Sequence, residues 1–510
     1  MSDLSSGSPT RRTRPEGFPQ SGPAPELIES GFALENADAS FLHRGLNLAD
    51  LAHVLDLARR GIVPPDAERA LLALLLEVTG IAPEDFPYDP EFGEPYNSRE
   101  RFFVARIGDV AGWLHAGRPR REAARVALRL HLRRQLTELV TEAVATALDT
   151  VARAEEHADT LLPDQTYLQQ AQPSTFGHYL LSFVYSTVRD ARRLLDELDL
   201  LNTSPGGAGC VNGTRLLEDR GPIAAALGFD GVIPHTRDAM WQVDGLIHIL
   251  ATVASLLSNF SKLAEDLEIF SSSEFDFVDL ADAYSRSSIL MPQKRNPYAL
   301  SIVRGASGVV IGRLTGFLAV TKSPSARSDN LIFAYGEVPR ALDLSLRITR
   351  LMGGVVRTLR VNPDRMRQEL DRGYTQATDL AEHLVQLMDV DYRTAYVVVG
   401  NTVREAARLG IPGSGITGAM VDEAALAHTG RSWGLADTDL SAVLDPRAIV
   451  ASRQAEGGAA PEALVQMTTT LRTQLRELAG QAEQRATAFD DAEAALLETA
   501  RAVAAGEAGG

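Results

Sequence analysis

The chain is nearly free of cysteine: Cys210 is the only one in 510 residues. An intrachain disulfide is therefore excluded, which fits a reducing, cytoplasmic setting. There is no Cys/His cluster to suggest a metal, and no cofactor is expected. Positive charge is also short. Lys and Arg number 50 against 67 Asp and Glu, a net charge of -17, which argues against nucleic acid or an anionic membrane as partner. No run approaches 18 consecutive apolar residues, so no transmembrane helix is predicted. The first residues, MSDLSSGSPTRRTRPEG, lack the apolar core of a signal peptide. Alternating strands, internal repeats and a βαβ pattern are missing too. Gly207 and Gly209 invite a dinucleotide reading, but no strand flanks them and Asn212 stands at the third glycine position. Cys210, set among small residues in SPGGAGCVNGT, reads as a packing or incidental residue rather than a nucleophile.

What is present is an ordinary globular composition, 45% apolar and 23% charged, in a chain long enough for more than one domain. Residues 1–35 are rich in Ser, Gly, Pro and Arg and read as a mobile tail. Residues 36–118 carry short amphipathic segments broken by prolines, a small helical domain. From Arg120 to Leu162 there is neither Gly nor Pro, which predicts one very long helix. A second stripe runs through Phe176, Leu180, Val184, Val188, Ala191, Leu195 and Leu198. A third, through Leu246, Leu250, Val253, Leu257, Phe260, Ala264 and Leu267, alternates spacings of four and three like a coiled-coil seam. Such seams need partner helices along their length, either within the chain or from other subunits. This long-helix region spans 119–371. From 372 to 510 the segments shorten around Gly410, Pro412, Gly413 and Gly415, giving a helical third domain. The fold class is all-α.

Chemistry concentrates in residues 284–297, YSRSSILMPQKRNP. A hydroxyl (Ser288), an ammonium (Lys294) and an amide (Asn296) fall within nine residues, between prolines that prevent plain helix. Such a loop is either a polar surface turn or a grip for a carboxylate whose charge grows during reaction.

The string resembles the signature loop of the aspartase/fumarase superfamily, GSSxMPxKxNP. Ser288, Met291, Pro292, Lys294, Asn296 and Pro297 match, while Ser287 and Ile289 depart. Further strings resemble the argininosuccinate lyase branch: RIGDVAGWLHAGR (106–118), TYLQQAQPSTFGHYLL (166–181), LAEDLEIFSSSEFDFVDLADAYS (263–285), GYTQATDLAEHLV (373–385) and VLDPRAIVASRQAEGGAAPE (443–462). The resemblance implies a three-domain fold whose central helix bundle is completed by tetramerisation, and a small dicarboxylate as substrate. It implies an anti β-elimination in which Ser288 is the base and Lys294 and Asn296 hold the carboxylate. Thr166 and Arg120 fall on substrate-binding positions, and Gln172 and Met291 line the same pocket.

The departures carry as much information. The family's SRNDQ reads Pro119, Arg120, Arg121, Glu122, Ala123 here, so an extra guanidinium at Arg121 replaces an amide. The histidine expected as general acid is Tyr167, and the glutamate that would polarise it is Ser301. Among the other histidines, His115 and His235 are the nearest candidates, against solvated or core roles. A leaving amine needs an acid; a leaving group that is already a stable anion, such as nitrite from nitrosuccinate, needs none. The first expectation is a C–N lyase with a non-arginine succinyl substrate. The alternatives are argininosuccinate lyase itself and a non-catalytic structural protein of the same fold.

Overall fold

The computed structural model describes residues 22–325 and 329–507. Its architecture is helical, and the strands among these residues form only two-stranded ladders. Six long helices make the central bundle: α1 (Arg120–Glu156), α2 (Phe176–Leu201), α3 (Asp244–Phe270), α4 (Tyr298–Thr321), α5 (Glu337–Thr358) and α6 (Pro461–Ala504). α1 packs on α2, α5 and α6, and α3 packs on α2, α4 and α5. All seven seam positions of α3, from Leu246 to Leu267, are buried within the chain. At about 1.5–3 kcal/mol for each large apolar side chain removed from water, this seam is a principal source of bundle stability. Of the two kinds of partner open to it, the seam takes helices of its own chain rather than forming the inter-subunit surface.

The face left open belongs to α4. Gly305, Gly308, Gly312 and Gly316 have nothing within 4 Å of where a Cβ would lie, and Ile302, Val309 and Leu318 beside them are exposed. Both α3 and α4 are long and apolar enough by composition to cross a membrane. α3 is mostly buried in the bundle, and the glycine face of α4 suits close approach of another helix.

A second core gathers Leu48–Leu75, Phe86 and Phe103 and is completed by Val126 and Leu130 of α1 and Leu496 and Ala500 of α6. A third runs only from Leu380 to Leu444. The third domain expected over 372–510 therefore ends early: the 44-residue helix α6 returns to the bundle, burying Leu471, Leu475, Leu478 and Phe489 in the central core.

Two further expectations change. Helical turns already cover Pro25–Leu27, Ile28–Phe32 and Ala33–Ala37. Asn36 anchors this segment by donating to the Gly93 carbonyl at 2.7 Å, so the mobile-tail reading fails there; residues 1–21 lie outside the described residues. The long helix stops at Glu156 rather than Leu162, because Leu161–Thr166 (β1) pairs antiparallel with Gln169–Thr175 (β2).

Candidate active site

The signature loop is a small hairpin. Arg286–Ser287 (β3) pairs with Arg295–Asn296 (β4), and within the turn Ser288 N–H donates to Lys294 O at 3.1 Å and Lys294 N–H to Met291 O at 3.0 Å. The Ser288 hydroxyl oxygen accepts the Met291 N–H at 2.9 Å. A fixed amide dipole thus points at the oxygen that would carry charge as a base, which favours its anionic form. Asn296 Nδ2 donates to Arg286 O at 3.0 Å, bracing the base of the hairpin. Arg295 ties the loop down through Asp279 and Asp282. Lys294 and Met291 are exposed, and so are the apolar tips Ile289 and Leu290, more than four-fifths each. In one chain the loop points at solvent.

Thr166 closes β1, and Tyr167 and Leu168 form the two-residue turn into β2. Both have positive φ, 55° and 58°, the conformation glycine or asparagine normally supplies in such turns. Tyr167 is 99% exposed. Thr166 and Gln172 line a cleft of about 300 Å³ with Asp164, His178 and Arg453. His178 and Arg453 were not singled out from sequence, although both stand inside the matched strings. His178 Nε2 donates to the Gly457 carbonyl at 2.9 Å, and its Nδ1 shares a hydrogen bond with the Ser174 hydroxyl at 3.3 Å. Arg453 pairs with Asp379 at 2.5 Å.

Arg120 and Arg121 open α1. Arg120 pairs with Glu94 at 3.1 Å and donates to Asn97. With Arg121, Arg125 and Tyr335 it lines a cavity of about 110 Å³. Cations at a helix N-terminus oppose the helix dipole, and the carboxylates of Glu35, Asp38 and Glu94 in the same cavity offset them. The next residue, Glu122, is buried and accepts the N–H groups of Gly207 and Gly209 at 2.6 and 2.7 Å. Burial pushes its carboxyl up to about 7. Cys210, next along this loop, is exposed rather than packed.

The three parts do not meet within one chain. Arg120 begins a 37-residue helix, about 55 Å long at 1.5 Å per residue, and Thr166 follows its other end. The signature loop leaves the end of α3, where Asp266 accepts from Tyr179 of the first turn of α2 at 2.9 Å. Loop and Thr166 hairpin therefore lie toward one end of the bundle, and Arg120 toward the other. The cleft around Thr166 contains no residue of 284–297, and the cavity around Arg120 contains neither group. His235 caps the helix Thr236–Trp241. His115 packs beside Tyr96, with burial holding its pKa below the usual imidazole range. Neither approaches the loop through a recorded contact. Ser301 Oγ lies 3.5 Å from Glu268, which also pairs with Arg304.

A helical bundle carrying such a loop defines a lyase of the aspartase/fumarase kind. A "Lyase" family model matches residues 96–312, and an "Argininosuccinate lyase C-terminal" model matches 374–451. Argininosuccinate lyase of Methanosarcina acetivorans is 33% identical over 456 residues, 88% of this chain and 91% of that protein. That of Methanoculleus marisnigri is 33% identical over 483 residues, 94% and 96%. Among solved structures, a variant of EDDS lyase with bound fumarate superposes with a TM-score of 0.86 at 28% identity, covering 96% of this chain and 97% of that one. A class II fumarase from Schistosoma mansoni shares the fold, with a TM-score of 0.67 at 14% identity, covering 82% and 91%. The chain belongs to the argininosuccinate lyase-like branch of the aspartase/fumarase superfamily, and it is a carbon–nitrogen lyase.

Proposed function

We propose that the enzyme eliminates a nitrogen group other than arginine from a succinyl-type substrate, releasing fumarate or a close analogue. Ser288 takes the proton from the carbon next to a carboxylate. The C–H electrons pass into that carboxylate as an aci-dianion, which Lys294 and Asn296 hold, and then expel the group on the neighbouring carbon with the C–N electron pair. Thr166, Gln172, Arg120 and Arg121 bind the substrate carboxylates, and Met291 shapes the pocket. Because the parts lie at opposite ends of one bundle, the working site is assembled from several subunits across the open face of α4, in a homotetramer.

The observation that carries the leaving-group reading is the pair Tyr167 and Ser301. Tyr167 sits in an exposed turn with no acid–base partner among the described residues, and a hydroxyl stands at 301 where a carboxylate would polarise a histidine. The likeness to EDDS lyase supports a non-arginine leaving group. The argininosuccinate lyases among its relatives keep that activity as the second reading. The test is a panel of succinyl compounds, including argininosuccinate and nitrosuccinate, followed by ultraviolet absorbance of fumarate. Fumarate from argininosuccinate alone would replace the first reading by the second.

A further inference from the structure

The cavity around Arg120 holds two polar groups that the elimination chemistry above does not use. Arg125 lies one turn further along α1. Its Nε donates to the Met240 carbonyl, but its Nη2 is buried without a hydrogen-bond partner among the described residues. The Tyr335 hydroxyl is likewise buried, with no partner among the described residues. The two are neighbours: the Arg125 guanidinium carbon lies 4.9 Å from the centre of the Tyr335 ring and 5.5 Å from that of Trp241. Three carboxylates line the same cavity and each is engaged: Asp38 with Arg340, Glu94 with Arg120 on the cavity wall, and Glu35 as well. A buried guanidinium with an unmet N–H beside a phenol with an unmet O–H is costly as it stands. Burial and the neighbouring Arg121 charge pull Arg125 below the usual guanidinium range, a cost that a bound anion would relieve.

We infer that Arg125 and Tyr335 form a subsite for a planar, two-oxygen anion on the leaving half of the substrate. The guanidinium presents N–H groups in a fork that matches two oxygens of a carboxylate or nitro group, and the phenol adds a third donor. This inference rests on the reading of the enzyme as an eliminating lyase, and it deepens that reading by giving the charge of the leaving half. When the C–N bond breaks, its electron pair goes to the departing group and the proton stays on Ser288. If the departing group is itself the anion, its new charge falls on oxygens held by Arg125 and Tyr335. If it is an amine bearing a carboxylate, its nitrogen is already protonated in the substrate, the electron pair leaves it neutral, and the subsite holds that carboxylate.

The experiment is calorimetric titration of the intact enzyme with sodium nitrite and, separately, with sodium acetate, each with and without saturating fumarate. Binding of nitrite in preference to acetate identifies the departing group as the anion; the reverse identifies a carried carboxylate. In either case Arg125→Met weakens binding tenfold or more, and Tyr335→Phe weakens it severalfold. Tyr335→Phe removes one hydroxyl and keeps the ring, so it guards against a misfolded Arg125→Met. The inference fails if neither anion binds, or if both variants bind like wild type. Anion binding that depends on Arg125 in an enzyme that releases no fumarate from any succinyl compound would remove the proposed reaction and leave the subsite standing.

Discussion

Arg120 opens α1, a single helix of 37 residues, and Thr166 lies past its other end, so no bending of side chains brings them into one pocket of one chain. If both bind the substrate, the enzyme works only as an oligomer. The first prediction follows. The protein should sediment as a tetramer of its 55.0 kDa chain. Mixing Ser288→Ala with Arg120→Ala, each inactive alone, should restore part of the activity, since hybrid assemblies contain sites carrying neither change. A stable, active monomer at micromolar concentration would refute the shared site.

The open face of α4 gives the matching surface prediction. Gly312 has nothing within 4 Å of its Cβ position, so Gly312→Leu fits the isolated chain without a clash. In the assembly it should hold helices apart, shifting sedimentation toward smaller species and abolishing turnover while far-ultraviolet circular dichroism stays unchanged. Retention of the tetramer by this variant would place the subunit contact elsewhere.

How much of this was legible beforehand depended on what each segment had to bury. The seam of α3 announced itself because its apolar spacing is regular, but spacing does not say whose helix covers it, and the cover proved to be α2, α4 and α5 of the same chain. The hairpin β1–β2 was missed because its outer half, Gln165 to Gln172, is polar and half-buried to exposed, so it lacks the alternation that marks a strand. Its turn carries Tyr167 and Leu168 where glycine or asparagine would have signalled a hairpin. The return of α6 was hidden because an amphipathic helix does not specify which core it joins. Ser288, Lys294 and Asn296 stand out in sequence through the resemblance of their loop to the family signature. Arg125 and Tyr335 were not, since the information lies in what they fail to touch.

Lys294 should matter to rate more than to binding. The charge it faces is largest in the transition state, so Lys294→Met is expected to lower kcat by about 10² or more with a much smaller change in KM. Steady-state kinetics on the substrate found in the panel decides this. Near-normal kcat would show that the loop is not the element stabilising the dianion.

Glu122 predicts a pH-dependent stability. Its folded pKa is raised to about 7 from 4.5, so the folded chain holds the proton more tightly than the unfolded one. This contribution is complete below 4.5 and is lost as pH rises through about 7, on the order of 3 kcal/mol per chain at 1.36 kcal/mol per unit. Thermal midpoints measured from pH 5 to pH 8 should fall for this reason in the wild type and fall less in Glu122→Gln. An identical pH slope in the two proteins would mean that Glu122 does not titrate in this window.

The last prediction concerns the acid. Protonation of a leaving amine requires a donor held at the departing nitrogen, with a pKa suited to the working pH. Tyr167 is an exposed turn residue, and at 301 a serine lies 3.5 Å from Glu268 where the family pattern has a glutamate. Neither arrangement supplies a polarised acid, and a leaving group that departs as an anion asks for none. Tyr167→Phe should therefore keep substantial activity on the true substrate. Restoring the pair with Tyr167→His and Ser301→Glu should not create argininosuccinate cleavage, because Arg121 still stands where the family pattern has an amide. The decisive measurement is the pH–rate profile of wild type and Tyr167→Phe side by side. A dead Tyr167→Phe, with a wild-type alkaline limb that the variant lacks, would make Tyr167 the general acid and return amines to the possible leaving groups. Matching profiles would leave the departing anion, steadied by its own stability and by Arg125, as the reason this site does without one.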